Sequence, residues 1–144
     1  MNVVIFGSSG HAKVVREIIL LEKKHSLIGF VDDKTDAKSL HGLKIITDKF
    51  DQKLLDDHKI EGGIIGIGDN ALRSKVCEDI IKKVPNFSFI NAIHPKAVLS
   101  KDISLGLGNA VMAGSIINSS TKVSNHCIVN TNSSIDHDCS LENF

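Results

Sequence analysis

Residues 99–144 read LSKDISLGLGNAVMAGSIINSSTKVSNHCIVNTNSSIDHDCSLENF and place an aliphatic side chain at every sixth position. These aliphatic residues are Leu99, Leu105, Val111, Ile117, Val123, Val129, Ile135 and Leu141. A mostly small residue follows four positions after each of the first seven: Ile103, Asn109, Ser115, Thr121, Cys127, Ser133 and Cys139. A period of six fits neither a helix nor an alternating strand, and a fixed short repeat indicates a parallel β-helix. Three hexads complete one triangular coil, so residues eighteen apart are expected to stack.

The eighteen-residue spacing predicts which inward side chains stack on one another. One face should align Leu99, Ile117 and Ile135, and the next face Leu105, Val123 and Leu141. Each hexad sends its aliphatic and its small residue inward. Cys127 and Cys139 occupy small inward positions, so packing accounts for them.

The preceding residues alternate between short apolar runs and helical periodicity. Expected strands cover 2–6, 26–31, 44–47 and 63–67, expected helices cover 11–22, 51–57 and 70–83, and 87–90 returns to extended structure. Strands apolar on both faces predict an α/β fold, a parallel sheet between helices. Composition shifts near residue 90, so we expect domains at 1–92 and 93–144. No Gly/Ser-rich linker separates them, which favours direct packing of the two halves.

Composition excludes several classes of protein. The net charge is zero, so the basic surface of a nucleic-acid binder is absent. No apolar run approaches the length of a membrane span, and MNVVIFG lacks the features of a signal peptide. Three cysteines at no metal-binding spacing predict no metal site and a reducing, cytoplasmic setting.

Three glycine-containing or acidic turns follow the predicted strands. The turn GSSGH joins the first strand to the first helix, where free N–H groups could hold a phosphate. Asp32 and Asp33 end the second strand, and GIGDN precedes Arg73 by one helical turn. Carboxyl ends of parallel strands line the ligand crevice, so the three turns predict a nucleotide pocket. A tight turn without a ligand stays the alternative, because the full G-x-G-x-x-G pattern is absent.

His137 stands between two aspartates at a predicted corner of the β-helix. Flanking carboxylates can raise the pKa of an imidazole and fix its tautomer, which suits a general base. A solvated surface histidine is the alternative interpretation. His126 has no flanking carboxylate and is expected at the surface.

Two motifs together resemble one family. GSSGHAKVV (7–15) and IDHDC (135–139), with FVDD (30–33) and IGIGDNALR (65–73), resemble bacterial sugar O-acyltransferases of the sialic acid O-acetyltransferase (NeuD) type. The nearest likeness is to the nucleotide-linked amino-sugar N-acetyltransferases of the PglD type. The matching features run over essentially the whole chain.

The resemblance implies a Rossmann-like domain that binds a UDP-sugar, followed by a left-handed β-helix that forms a homotrimer and takes acetyl-CoA between neighbouring copies. His137 would be the general base, tuned by Asp138, and Asn130 would position the acceptor amine. The implied nucleotide-sugar contacts are Gly7, Ser8, Ser9, Gly10, His11, Asp32, Asp33, Gly68, Asn70 and Arg73.

The expected reaction is acetyl transfer from acetyl-CoA to a UDP-linked 4-amino sugar in surface glycan synthesis. O-acetylation of sialic acid or a related sugar is an alternative, because amine and hydroxyl acceptors can use the same base. In relatives the β-helix continues for several coils, so the chain is expected to be truncated and inactive on its own. A nucleotide-binding module without activity is then a further alternative, whereas the incomplete glycine pattern disfavours a nicotinamide-dependent oxidoreductase.

Overall fold

A computed structural model describes all 144 residues. The N-terminal half alternates strands and helices much as the periodicity predicts. Its elements are β1 (Asn2–Phe6), α1 (Gly10–Glu22), β2 (Ser26–Val31), β3 (Ser39–Leu40), β4 (Leu43–Ile46), α2 (Gln52–His58), β5 (Gly62–Ile65) and α3 (Asn70–Lys83).

The sheet order is β3-β4-β2-β1-β5, and every pairing except the β3–β4 hairpin is parallel. Helices cover both faces, so β1 is buried on both sides. Val3 and Ile5 pack in one core with α1, whereas Val4 and Phe6 pack in a second core with α2 and α3. The expected parallel sheet between helices is confirmed. The chain runs outward from β1 to β4 and then crosses back to β5, which places a crevice at the carboxyl ends of β1 and β5.

The β3–β4 hairpin was not predicted from the sequence. Its two-residue loop is His41–Gly42, with φ of 47° and 77°, and Leu40 pairs with Leu43 across it. Positive φ at both loop positions matches the twist of the flanking strands. A two-residue strand shows no detectable alternation, which is why the pattern missed it. Residues 87–90 are extended as expected, and Phe89 bridges Gly63 of β5.

The C-terminal half is a three-sided parallel β-helix of two-residue strands. These strands are β6 (Ala92–Ile93), β7 (Val98–Leu99), β8 (Ser104–Leu105), β9 (Ala110–Val111), β10 (Ile116–Ile117), β11 (Lys122–Val123), β12 (Ile128–Val129), β13 (Ser134–Ile135) and β14 (Ser140–Leu141). The faces are β7-β10-β13, β8-β11-β14 and β6-β9-β12.

The predicted register is confirmed on both faces. Leu99 pairs with Ile117 and Ile117 with Ile135, while Val123 lies between Leu105 and Leu141. The third face begins one hexad before the recognised repeat, at β6, which straddles the expected domain boundary at 92/93.

The small inward residues close the corners. Asn109, Ser115, Thr121 and Cys127 are buried, whereas Cys139 in the last coil is half-buried. Asn109 accepts the N–H of Cys127 through Oδ1 and donates through Nδ2 to the carbonyl of Ser124. Such polar side chains are tolerated inside because their hydrogen bonds are made.

The two halves pack directly, as predicted. Ala110 and Met112 of the β-helix share a core cluster with Val15 and Ile18 of α1. No flexible linker therefore separates the sheet from the β-helix.

The expectation that His126 lies at the surface is wrong. Its imidazole is buried between the rings of Phe89 and Phe144, at centroid distances of 4.6 and 5.3 Å. This corner of the β-helix faces α3, so solvent is excluded. Burial, and secondarily the charge of Arg73, lowers the pKa of His126 to about 4. The imidazole is therefore neutral at physiological pH.

Candidate functional site

A cavity of about 310 Å³ opens at the carboxyl ends of the parallel strands. Turns after β1, β2, β4 and β5 form one side, and one face of α3 forms the other. The sequence-predicted residues that line it are Gly7, Ser8, Ser9, Asp32 and Asp33. All three predicted turns therefore meet in one cavity, the third of them through Ile67.

Ser8 and Asp32 join the turns after β1 and β2. The Ser8 hydroxyl donates to Asp32 Oδ2 at 2.6 Å, and the backbone N–H of Lys34 donates to Oδ1 at 3.1 Å. Both carboxylate oxygens of Asp32 are thus held in place. Asp33 is exposed and forms no ion pair within the chain.

The N-terminus of α1 is the only uncapped helix start in the chain. Asp51 caps α2 by accepting the N–H of Leu54, and Asp69 caps α3 by accepting the N–H of Leu72, whereas the Ser9 side chain makes no such bond for α1. The first turn of α1 carries no acidic residue. Free N–H groups and the positive end of the helix dipole therefore face the cavity entrance at Ser9, an arrangement that binds anions.

Two glycines keep this turn open. Gly7 has φ of +92°, a conformation that other residues rarely adopt. No atom lies within 4 Å of the position a Cβ of Gly10 would take. The backbone of this turn is therefore accessible to a ligand.

Three further predicted residues lie behind the turn and outside the cavity lining. The side chain of His11 lies beside Gly68, 3.8 Å from the position that a Cβ of Gly68 would take. Its Nε2 is buried without a hydrogen-bond partner, and burial lowers the pKa of His11. Asn70 uses its Oδ1 to accept from Arg73 at 2.7 Å.

Arg73 ties the two domains together. Its side chain is buried, and Nε donates to the carbonyl of His126 at 2.8 Å. Nη1 donates to the carbonyls of Ile67 and Gly68 at 3.0 Å each. With Asn70, these contacts use four of its five N–H groups, and Arg73 does not line the cavity.

His137 and Asp138 form an exposed pair on the β-helix. Nδ1 lies 2.6 Å from Asp138 Oδ2, and the side chains are each 72% exposed. The hydrogen bond that the imidazole donates to Asp138, followed by the charges of Asp138 and Asp136, raises the pKa of His137. A carboxylate on Nδ1 fixes the proton there and leaves Nε2 free to accept a proton from a substrate.

The coil below holds this pair in place. Thr121 Oγ1 donates to the carbonyl of Asp136 at 2.7 Å, and the N–H of Asp138 donates to the carbonyl of Ser119 at 3.1 Å. Asp138 adopts a left-handed conformation with φ of 58°. The corner is therefore fixed by its neighbours and not by local sequence alone.

Asn130 lies at the preceding corner, after β12. It is exposed, and its Oδ1 accepts the N–H of Thr131 at 2.9 Å. No hydrogen bond within the chain joins it to His137.

Sequence reasoning missed the charged residues at the far end of the cavity, Asp48, Asp79 and Lys83. The spacing of Leu72, Val76, Asp79 and Lys83 places them on one face of α3, which could have been recognised. No group of three or more His, Cys, Asp or Glu side chains could hold a metal ion, and no helix is long and apolar enough to cross a membrane.

The N-terminal domain matches a known family. Residues 2–80 match the family described as the PglD N-terminal domain. The chain belongs to this family. The resemblance to the PglD type seen in the sequence is thereby confirmed.

Relatives of this PglD-family chain are sugar N-acetyltransferases. The UDP-N-acetylbacillosamine N-acetyltransferase of Bacillus subtilis (strain 168) is 32% identical over 120 residues, which are 78% of this chain and 51% of that protein. The chain thus spans about half the length of this curated relative.

Two solved structures contain the architecture of this chain. PerB from Caulobacter crescentus, in complex with CoA and GDP-perosamine, is 35% identical with a TM-score of 0.84, over 97% of this chain and 65% of PerB. The acetyltransferase domain of PglB from Neisseria gonorrhoeae FA1090, in complex with acetyl coenzyme A, is 28% identical with a TM-score of 0.83. The match covers 96% of this chain and 66% of the PglB chain. These likenesses confirm a Rossmann-like domain followed by a left-handed β-helix.

The role of Arg73 gives the first prediction. Arg73→Met should lower the free energy of unfolding by about 3 kcal/mol, because it removes four hydrogen bonds, one of them to the buried carbonyl of His126. Urea unfolding measures the change, and Lys75→Met, on an exposed position of the same helix, should have little effect. Equal stability of the two variants would contradict the tie between domains.

The pair His137–Asp138 gives a second prediction. Asp138→Asn removes the charge that stabilises the imidazolium, so the pKa of His137 should fall and more of the base should be unprotonated at neutral pH. Asparagine tolerates the left-handed conformation, so the corner should persist. An NMR titration of the His137 ring measures the pKa, with Asp57→Asn on α2 as the control. An unchanged pKa in Asp138→Asn would contradict the pairing.

Proposed function

We propose that the protein is an acetyl-CoA-dependent N-acetyltransferase whose substrate is a nucleotide-linked amino sugar. The observation that carries the proposal is the cavity at the uncapped start of α1. A UDP-linked 4-amino sugar is the member of this class implied by the sequence resemblance. The Bacillus subtilis relative is a UDP-N-acetylbacillosamine N-acetyltransferase, and PerB binds CoA and GDP-perosamine.

The diphosphate would lie at the free N–H groups of Ser9, Gly10 and His11, where backbone donors and the helix dipole favour negative charge. Asp33, which forms no ion pair within the chain, would accept hydrogen bonds from the ribose hydroxyls. Asp32 is held by Ser8, so its part would be to shape the turn.

His137 would act as the general base at the β-helix. Nε2 would take the proton from the sugar amine as the nitrogen attacks the thioester carbonyl. The N–C bond forms, the C–S bond breaks, and the CoA thiolate leaves and takes up a proton. Asp138 would stabilise the imidazolium through Nδ1, which lies 2.6 Å away. Asn130 would offer its side-chain amide to the acceptor.

A homotrimer with acetyl-CoA between neighbouring β-helices is part of the proposal. Val98 and Ile116 are stacked on the outside of one β-helix face and are 61% and 40% exposed. Exposed apolar side chains in a row favour contact with another protein surface. The three cysteines are free thiols, which supports a cytoplasmic setting.

Calorimetric titration of the chain with UDP and GDP, and with NAD as the control, tests the proposal. At least one nucleoside diphosphate should bind saturably, and Asp33→Ala should weaken it by about tenfold, the loss of a charge-assisted hydrogen bond. Binding of NAD alone would contradict the proposal.

A further inference from the structure

Three charged side chains line the far end of the nucleotide cavity without partners. Asp79 and Lys83 lie one turn apart on α3, and Asp48 lies in the loop after β4. All three are exposed, and none forms a salt bridge within the chain. A ligand in the cavity can therefore use them without breaking an existing ion pair.

The length of the cavity brings these residues to the base of a bound nucleotide. The lining face of α3 runs from Leu72 to Lys83, a distance of about 16 Å along the helix. This matches the extent of a stretched nucleoside diphosphate. With the phosphates at the start of α1, the base reaches the end of α3 that carries Asp79 and Lys83.

The cavity wall at this end is apolar. Phe50, Val76 and Ile80 contribute side chains that can lie against the face of a planar ring. The polar groups at its edge are two carboxylates and one ammonium. Ionised carboxylates only accept hydrogen bonds, and ammonium groups only donate them.

We propose that Asp79 and Lys83, with Asp48, form hydrogen bonds with the edge of the base and so select guanine over uracil. This inference rests on the proposed function, since it concerns the same nucleotide-sugar site. It specifies a GDP-linked amino sugar as the substrate class, instead of the UDP-linked sugar implied by the sequence resemblance.

The hydrogen-bonding edges of the two bases differ in one group. Guanine presents the acceptor O6, followed by the donors N1–H and N2–H₂. Lys83 can donate to O6 while one carboxylate accepts from both nitrogens. Uracil presents an acceptor, one donor and a second acceptor, so its second carbonyl would face a carboxylate with no donor between them. The two oxygens repel each other, which weakens the binding of a uracil nucleotide.

The test is calorimetric titration of the chain with GDP, UDP and IDP, whose hypoxanthine base lacks the exocyclic amine. GDP should bind about 10- to 100-fold more tightly than UDP, the range that one two-point base contact provides. IDP should bind more weakly than GDP, because one carboxylate oxygen loses its donor.

Alanine variants test whether the two aspartates cause the preference for GDP over IDP. Asp79→Ala or Asp48→Ala should bring the affinities for GDP and IDP together. Glu78→Ala, which removes the same charge from an exposed position of α3 outside the cavity lining, should leave the GDP-to-IDP ratio unchanged.

The outcomes separate this inference from the proposed function. UDP binding equal to or tighter than GDP binding would overturn the guanine assignment and leave the proposed function standing. A GDP-to-IDP ratio that neither aspartate variant changes would also overturn it. Binding of neither GDP nor UDP would overturn both.

Discussion

The buried guanidinium of Arg73 is the contact on which the arrangement of the molecule depends. It binds the carbonyl of His126 in the β-helix and the carbonyls of Ile67 and Gly68 in the turn after β5. One side chain therefore orients α3, the turn beside the cavity and a β-helix corner together. Burial lowers the pKa of Arg73, but guanidinium stays charged at any physiological pH. Several hydrogen bonds compensate the cost of burying that charge.

This contact gives α3 two different faces. One face packs on the β-helix, where Cys77 Sγ lies 3.2 Å from His126 Nε2. The other face lines the cavity through Leu72, Val76 and Asp79. The α3 wall of the cavity is thus held against the domain that carries His137.

Much of this architecture could be predicted because it follows from short-range patterns. The six-residue period predicted the stacking of Leu99, Ile117 and Ile135, since identical coils can align only in one register. What escaped prediction depends on contacts between distant segments. His126 looks like any other corner residue until Phe89 and Phe144 enclose it, and Arg73 looks like a ligand contact until its acceptors are known. The three turns predicted a cavity at the carboxyl ends of the strands, but the face of α3 that forms its other wall, with Asp79 and Lys83, was missed.

Amide NMR of the ¹⁵N-labelled chain during titration with GDP tests the central claim, that the start of α1 holds the diphosphate beside the face of α3. We expect the largest shift changes at Ser9, Gly10 and His11, with further changes on the cavity face of α3. Changes concentrated instead in the cleft between Leu21 and residues 93–99, which lies away from α3, would contradict it.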